Sequence, residues 1–339
     1  MEILIPYLQI VGGLLGLYAG GEFLVRGAVS MSRRFGLSPL LIGLTVVAFS
    51  TSTPELLVSI GSVFDGSPDI AVANIVGTNT ANVLFILGIT ALVSPIIINK
   101  KLIRKDLLVM LGASFALLAV SLLSTEIGLV AGILFTIGIA GYTIFAYMSG
   151  QKQSKAYNET HEKPLTLHDV ENPCPKTTTD SVDKDRPLWL TLVLLVGGLG
   201  GLIVGADWLV AGAKTIALGL GISEAIIGLT IVAVGTSLPE LSSGIISALH
   251  KKSDIAVGNV VGSGIFNVLG ILGFIAIVKP ISINPIIALI DIPVMIATLV
   301  VFTAVVLIRG KIDRITASIF LIAYVGYIVF SYFNYAAIM

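Results

Sequence analysis

Long apolar runs alternate along this chain with short clusters of charge, Pro or Gly. A bilayer core takes about 20 apolar residues per helix. Cutting the chain at its polar clusters predicts ten spans: 3–32, 38–63, 70–95, 104–124, 127–149, 188–213, 223–248, 255–278, 285–308 and 315–337. The first opens MEILIPYLQI, with an acid and no basic flank, so it reads as a retained span rather than a cleaved leader. Between the fifth and sixth, residues 150–187 break the pattern with six basic and seven acidic residues and the run Thr177, Thr178, Thr179. Such a segment cannot bury a core and is expected to be a solvated linker without fixed structure.

Shifting the chain by 185 residues superposes its halves. Residues 36–95 and 221–280 share 31 identities in 60 positions without a gap. GLTVVAFSTSTPEL (43–56) matches GLTIVAVGTSLPEL (228–241), and DIAVANIVGTNTANVLFILG (69–88) matches DIAVGNVVGSGIFNVLGILG (254–273). The repeated motifs thus cover 43–88 and 228–273, and Gly12, Gly16 and Gly20 correspond to Gly197, Gly201 and Gly205. Five spans per half is an odd number, so the second half enters the membrane from the opposite side. The expected fold is an all-α integral membrane protein of ten helices. Its parts are a first repeat (1–149), a linker (150–187) and an inverted second repeat (188–339). Inverted repeats are the architecture of many secondary transporters, with the binding site at mid-membrane.

Composition sharpens this. The chain is 55% hydrophobic and 12% charged, against about 25% charged in soluble domains, which excludes a soluble or a disordered protein. Twenty basic residues balance twenty acidic ones, leaving no basic footprint for nucleic acid. Cys174 alone cannot form an internal disulfide, and His161, His168 and His250 are too dispersed for a zinc site. Of the 20 Lys and Arg, 18 fall on one face of the ten-span layout, leaving Lys214 and Lys279 on the other. By the positive-inside rule the linker is cytoplasmic and both termini face outward from a cell membrane.

Glu55 and Glu240 lie well inside the second and seventh spans, with no Lys or Arg near mid-span to neutralise them. A charged carboxylate there costs at least about 2.5 kcal/mol, so the pair wants either a cation or protons. Each follows a proline, Pro54 or Pro239, which cannot donate a backbone hydrogen bond and crowds the preceding turn. The break should free carbonyls in Ala48–Ser52 and Ala233–Ser237, while Thr51, Ser52, Thr236 and Ser237 add hydroxyls within a turn. In the third and eighth spans, Asn74, Thr78 and Asn82 share one helical face, as do Asn259, Ser263 and Asn267. Amide bonding between helices accounts for Asn74 and Asn259; Asn82 and Asn267, deeper in, are expected to face the site. An all-oxygen set with two negative charges suits calcium or sodium and argues against zinc or copper.

These motifs resemble the two repeats of the calcium/cation antiporter superfamily, and ten spans resemble its prokaryotic sodium/calcium exchanger branch. The resemblance implies alternating-access exchange of Ca2+ for Na+ with no cofactor, in the bilayer, and without a required oligomer. It makes Glu55 and Glu240 the central calcium ligands, also used by sodium, with Thr51 and Thr236 contributing to the same ions. Ser52, Ser237, Thr78 and Ser263, with the carbonyls of Ala48 and Ala233, would complete flanking sodium sites, and Asn82 and Asn267 would line the centre. The glycine-rich first and sixth spans resemble the pair that slides across the core. Asn267 stands where some sodium/calcium exchangers carry Asp, so a Ca2+/H+ antiporter using the same Glu pair is the alternative.

Other classes fit less well. A hydrolase would need a nucleophile with a positioned base, and no intramembrane His or Cys is present. A static scaffold or receptor has no need of two interchangeable halves, and a channel would pass calcium with no sodium or proton requirement. Outside the centre, Glu22 should pair with Arg26 one turn on, and Asp69, Asp254, Asp106 and Asp291 should cap helix N-termini.

Overall fold

The computed structural model describes residues 4–161, 187–220 and 235–336, with side chains described over 4–149, 187–220 and 235–331. The helices are α1 (Ile5–Phe35), α2 (Pro39–Thr51), α3 (Thr53–Phe64), α4 (Pro68–Val93), α5 (Lys100–Leu123) and α6 (Leu129–His161). After the break come α7 (Leu188–Gly219), α8 (Leu238–Leu249), α9 (Ser253–Val278), α10 (Ile287–Arg309) and α11 (Arg314–Ala336). Among the described residues, eight helices are long and apolar enough to cross a membrane, and α2 with α3 makes a ninth span bent by 41°. The expected span 223–248 begins in 221–234, outside the described residues; α8 is its remainder.

Two expectations change. Helix α6 runs twelve residues past the expected end at 149, to His161, because Gln, Lys, Ala and Glu are good helix formers and the next proline is Pro164. The rest of the linker, 162–186, lies outside the described residues. The fold is also not purely helical. Extended inter-helix loops pair as two-residue antiparallel ladders, β1 (Ile96–Ile97) with β4 (Lys311–Ile312) and β2 (Glu126–Ile127) with β3 (Ile281–Ser282). Pairing satisfies loop backbone groups that a buried turn would otherwise strand, and Ile suits the extended chain.

The ladders obey the shift of 185. Ile96↔Ile312 maps onto Ile281↔Ile127, and Ile97↔Lys311 onto Ser282↔Glu126. They sit at opposite ends of α5, whose 24 residues span about 36 Å at 1.5 Å per residue.

The same relation governs the crossing of α1 with α7. A Cβ at Gly20 would lie 2.5 Å from Leu202 N, and one at Gly205 would lie 2.6 Å from Leu17 N. Gly16 approaches Gly205 Cα and Gly201 approaches Gly20 Cα, while Gly13 and Gly198 abut the backbones of Leu209 and Leu24. Rising numbers on one helix meet falling numbers on the other, so the pair is antiparallel. Backbone contact this close needs small residues on both sides. Gly197, the counterpart of Gly12, has nothing among the described residues within 4 Å, and Gly12 meets the Trp208 ring.

The interior divides accordingly. A large apolar cluster joins α4, α5, α9 and α10 around Phe302, Met110, Leu107 and Met295, and a smaller one joins α1, α2 and α7 around Leu24, Leu202 and Val47. Many large apolar side chains face outward, among them Leu15, Leu123, Val130, Ile308 and Ile322. That pattern fits a lipid-facing surface rather than water.

Candidate functional site

The α2–α3 break falls on Ser52 (φ −80°, ψ 6°), one residue before α3 begins with Thr53 and Pro54. Its counterpart Ser237 (φ −91°, ψ 3°) precedes Leu238 and Pro239 at the start of α8. Both prolines stand in a first turn, where a missing N–H costs nothing. Both glutamates therefore enter at a helix N-terminus, Glu55 on α3 and Glu240 on α8. The positive end of the helix dipole favours an anionic group there. Both side chains are fully buried, and their carboxylates lie within Coulombic reach of each other, with Thr51 beside Glu240.

Facing them, α4 and α9 each widen into a π-helical stretch, over Asn82–Ile86 and Phe266–Leu272. Such wide turns recur at functional sites because they re-aim side chains that a regular helix would bury against its neighbour. Asn82 opens the first and Asn267 falls at the second position of the other.

Amide bonds lace the four helices together. Asn74 Nδ2 donates to Glu55 O (3.3 Å) and Ser59 Oγ (3.1 Å), and Asn259 Nδ2 donates to Ser243 Oγ (3.1 Å). Thr51 Oγ1 donates to Asn259 Oδ1 at 3.0 Å, tying α2 to α9. Asn74 and Asn259 thus serve as inter-helix connectors, as expected. Close backbone approach reinforces the α2–α9 contact: a Cβ at Gly43 would lie 2.8 Å from Ile255 O, and one at Gly258 equally near Leu40 O.

What remains at the centre is polar and unpartnered. Among the described residues, Ser52 Oγ, both Glu55 oxygens, both Glu240 oxygens, both Asn82 amide atoms, Ser263 Oγ and Asn267 Oδ1 are buried without a hydrogen-bond partner. Leaving one such atom unsatisfied costs roughly 1–3 kcal/mol, so a cluster this size suits groups that bind something. Thr78 is buried on α4, Ser237 at the second break, and Thr236 is half-buried beside it. The Ala48 carbonyl, expected to be free, accepts the Ser52 N–H at 3.0 Å, with the Thr51 hydroxyl at 3.5 Å. Ala233 lies outside the described residues. Beside the first break, a cavity of about 370 Å³ is lined by Thr45, Phe49, Ser50, Tyr142 and Phe266.

Two expectations about acids change. Asp106 and Asp291 do not cap helices but accept from phenols, Tyr142 and Tyr327, each at 3.0 Å. Asp69 and Asp254 sit in the first turns of α4 and α9 with no side-chain cap, where they complement the helix dipole. Glu22 pairs with Arg26 at 2.6 Å as expected, and it also meets His250 Nε2 at 2.7 Å. Asp207, its counterpart, is exposed. Asn79 stands out in the sequence as the amide that the second repeat replaces with Gly264, but not as a site residue; its Oδ1 accepts from Asn267 Nδ2 at 3.0 Å.

Comparison with known proteins places this geometry. The family model for the sodium/calcium exchanger protein matches residues 5–148 and 190–333. A relative from Alkalimonas amylolytica, carrying the antiporter name CaxA, is 36% identical over 96% of this chain and 98% of its own length. The sodium/calcium exchanger MaX1 of Methanosarcina acetivorans is 30% identical over 96% of this chain and 98% of its own. A solved structure of the sodium-calcium exchanger NCX_Mj, soaked with Na+ and Sr2+, is 29% identical with a TM-score of 0.78. It covers 97% of this chain and 99% of that one.

Proposed function

The chain belongs to the sodium/calcium exchanger protein family, and from that premise we propose that it exchanges Ca2+ for Na+ across the cell membrane by alternating access. The observation that carries the proposal is the buried, unpartnered set around Glu55 and Glu240, built twice from the same motif at two helix breaks. Two carboxylates, neutral amide and hydroxyl oxygens, and no thiolate or imidazole make a donor set for hard cations. Thr51, Thr236, Asn82 and Asn267 would join the glutamates at the centre. Ser52, Ser237, Thr78, Ser263 and the carbonyls of Ala48 and Ala233 would form the flanking sodium positions.

Coupling follows from electrostatics. Two like charges in a closed, apolar bundle are costly without a cation, so the unloaded carrier is the state least able to cross between its two open forms. Calcium or sodium supplies the missing positive charge, and each must leave for the other to enter. One ion's flux therefore drives the other's.

Ten spans in two inverted repeats complete the reading, with 150–187 cytoplasmic and both termini outward. The antiparallel α1–α7 seam and the ladders exchanged at opposite ends of α5 support this inversion. The α1–α7 pair, with its own small core, is the unit that would slide across the rest. Because Asn267 leaves only two central acids, proton coupling through the Glu pair is the second reading.

Substituting either Glu55 or Glu240 by Ala should abolish calcium uptake into proteoliposomes while the protein still elutes as a folded monodisperse species. Retained exchange in either variant would sink the assignment.

A further inference from the structure

We propose that Asn79 is a positioning residue that holds the Asn267 amide with its oxygen turned toward the transported ions. The inference rests on the site reading above and adds a residue that reading does not use. Asn79 and Asn267 are both buried.

Asn79 Nδ2 donates to the backbone carbonyl of Gly264 at 3.3 Å. A backbone carbonyl can only accept, so the amide nitrogen of Asn79 must face it. The Asn79 oxygen is thereby turned to the other side, where it accepts from Asn267 Nδ2 at 3.0 Å. With its nitrogen committed, Asn267 presents Oδ1, which is buried and has no partner among the described residues. Turning either amide over would set nitrogen against nitrogen or oxygen against oxygen. The anchor on Gly264 thus fixes the orientation of a side chain one link away.

The repeat provides an internal comparison. Position 264 is the counterpart of 79, and a Cβ there would lie 3.1 Å from Met110 Sδ, so an amide at that position would have to displace the Met110 side chain. Asn82, which would be served by such a residue, has both amide atoms unpartnered among the described residues. Only one of the two central amides is therefore oriented in advance. It is also the one standing where an acid would need no orienting, since both carboxylate oxygens accept.

The test is calcium and sodium binding to purified full-length protein in detergent, read by equilibrium 45Ca2+ binding and by ion-dependent thermal stabilisation. Asn79→Ala should weaken calcium binding between about three- and tenfold, the size of one lost orienting hydrogen bond, and sodium binding by less. In an Asn267→Asp background the same substitution should not weaken calcium at all. Equal losses in both backgrounds, or equal losses for both ions, would mean a merely structural role and overturn the proposal. Should Asn267→Asp not fold, the calcium-against-sodium split decides alone. If wild type bound no calcium, or Glu240→Ala left calcium binding unchanged, the site reading itself would fail, a result distinct from the Asn79 outcomes.

Discussion

Gly20→Ala probes the α1–α7 seam with a single methyl. The new Cβ would lie 2.5 Å from Leu202 N and 2.8 Å from Gly198 O, both backbone atoms that cannot rotate away. Ordinary contact begins near 3.4 Å, so the helices must part by about 0.9 Å at this point. A gap of about 0.5–1 Å forfeits a quarter to a half of each dispersion well facing it. Helix association in a bilayer rests largely on that packing, because lipid tails remove the hydrophobic drive. Overpacking of this kind costs about 1–3 kcal/mol. Gly197→Ala is the matched control: it adds the same methyl to the partner helix with nothing among the described residues within 4 Å. Both changes gain the same helix propensity, about 0.8–1 kcal/mol in soluble hosts, so the difference between them isolates the clash. Thermal melting of the purified variants in one detergent should place Gly20→Ala clearly below wild type and Gly197→Ala at or above it. Equal melting temperatures for the two variants would refute the seam.

Two further outcomes can be checked with the same preparations. Tyr142→Phe removes the phenol that donates to buried Asp106 and should cost about 1–3 kcal/mol; Tyr327→Phe should cost less, because Tyr142 is buried and Tyr327 only half-buried. A melting-temperature order with Tyr327→Phe the lower would contradict this. At the start of α11, Asp313 accepts from the Thr316 N–H and hydroxyl with Arg309 nearby, which holds its carboxyl below the ordinary aspartate range. A depressed carboxyl adds stability that is complete above its unfolded value and fades as pH falls through its folded value. Hydrogen exchange at the first turn of α11 should therefore be protected at neutral pH and lose protection only in acid, and Asp313→Asn should blunt that change; protection that grows on acidification would be the contrary result.

The sequence and the structure agree where a pattern is repeated or local. Proline before glutamate marked both breaks to within a turn: Ser52 and Ser237 each end the expected stretch, and each proline sits in the first turn of the helix that follows, where its missing N–H is tolerated. Apolar run lengths placed the described ends of the spans to within a few residues, apart from the C-terminal ends of α6 and α7, which run on to His161 and Gly219. Helix α6 overran because helix propensity continues after hydrophobicity stops, and a hydropathy boundary marks the membrane edge rather than the helix end. The strand ladders escaped notice because two residues leave no periodicity. Asp106 and Asp291 looked like caps by position, but their partners are tyrosines 36 residues further on, a separation that no local rule sees. The role of Asn79 depended on which face meets α9, which only three-dimensional packing decides. Its sequence trace was a broken symmetry, and that same asymmetry carries the inference about Asn267.

Coupling of the two ion fluxes is tested by calcium uptake into proteoliposomes driven by an outward sodium gradient at symmetric pH. A choline replacement serves as control, and a separate arm applies a pH gradient without sodium. For coupled exchange, uptake requires internal sodium and ignores the pH gradient. Uptake driven by the pH gradient alone would contradict it, and would assign to Glu55 and Glu240 the carriage of protons instead.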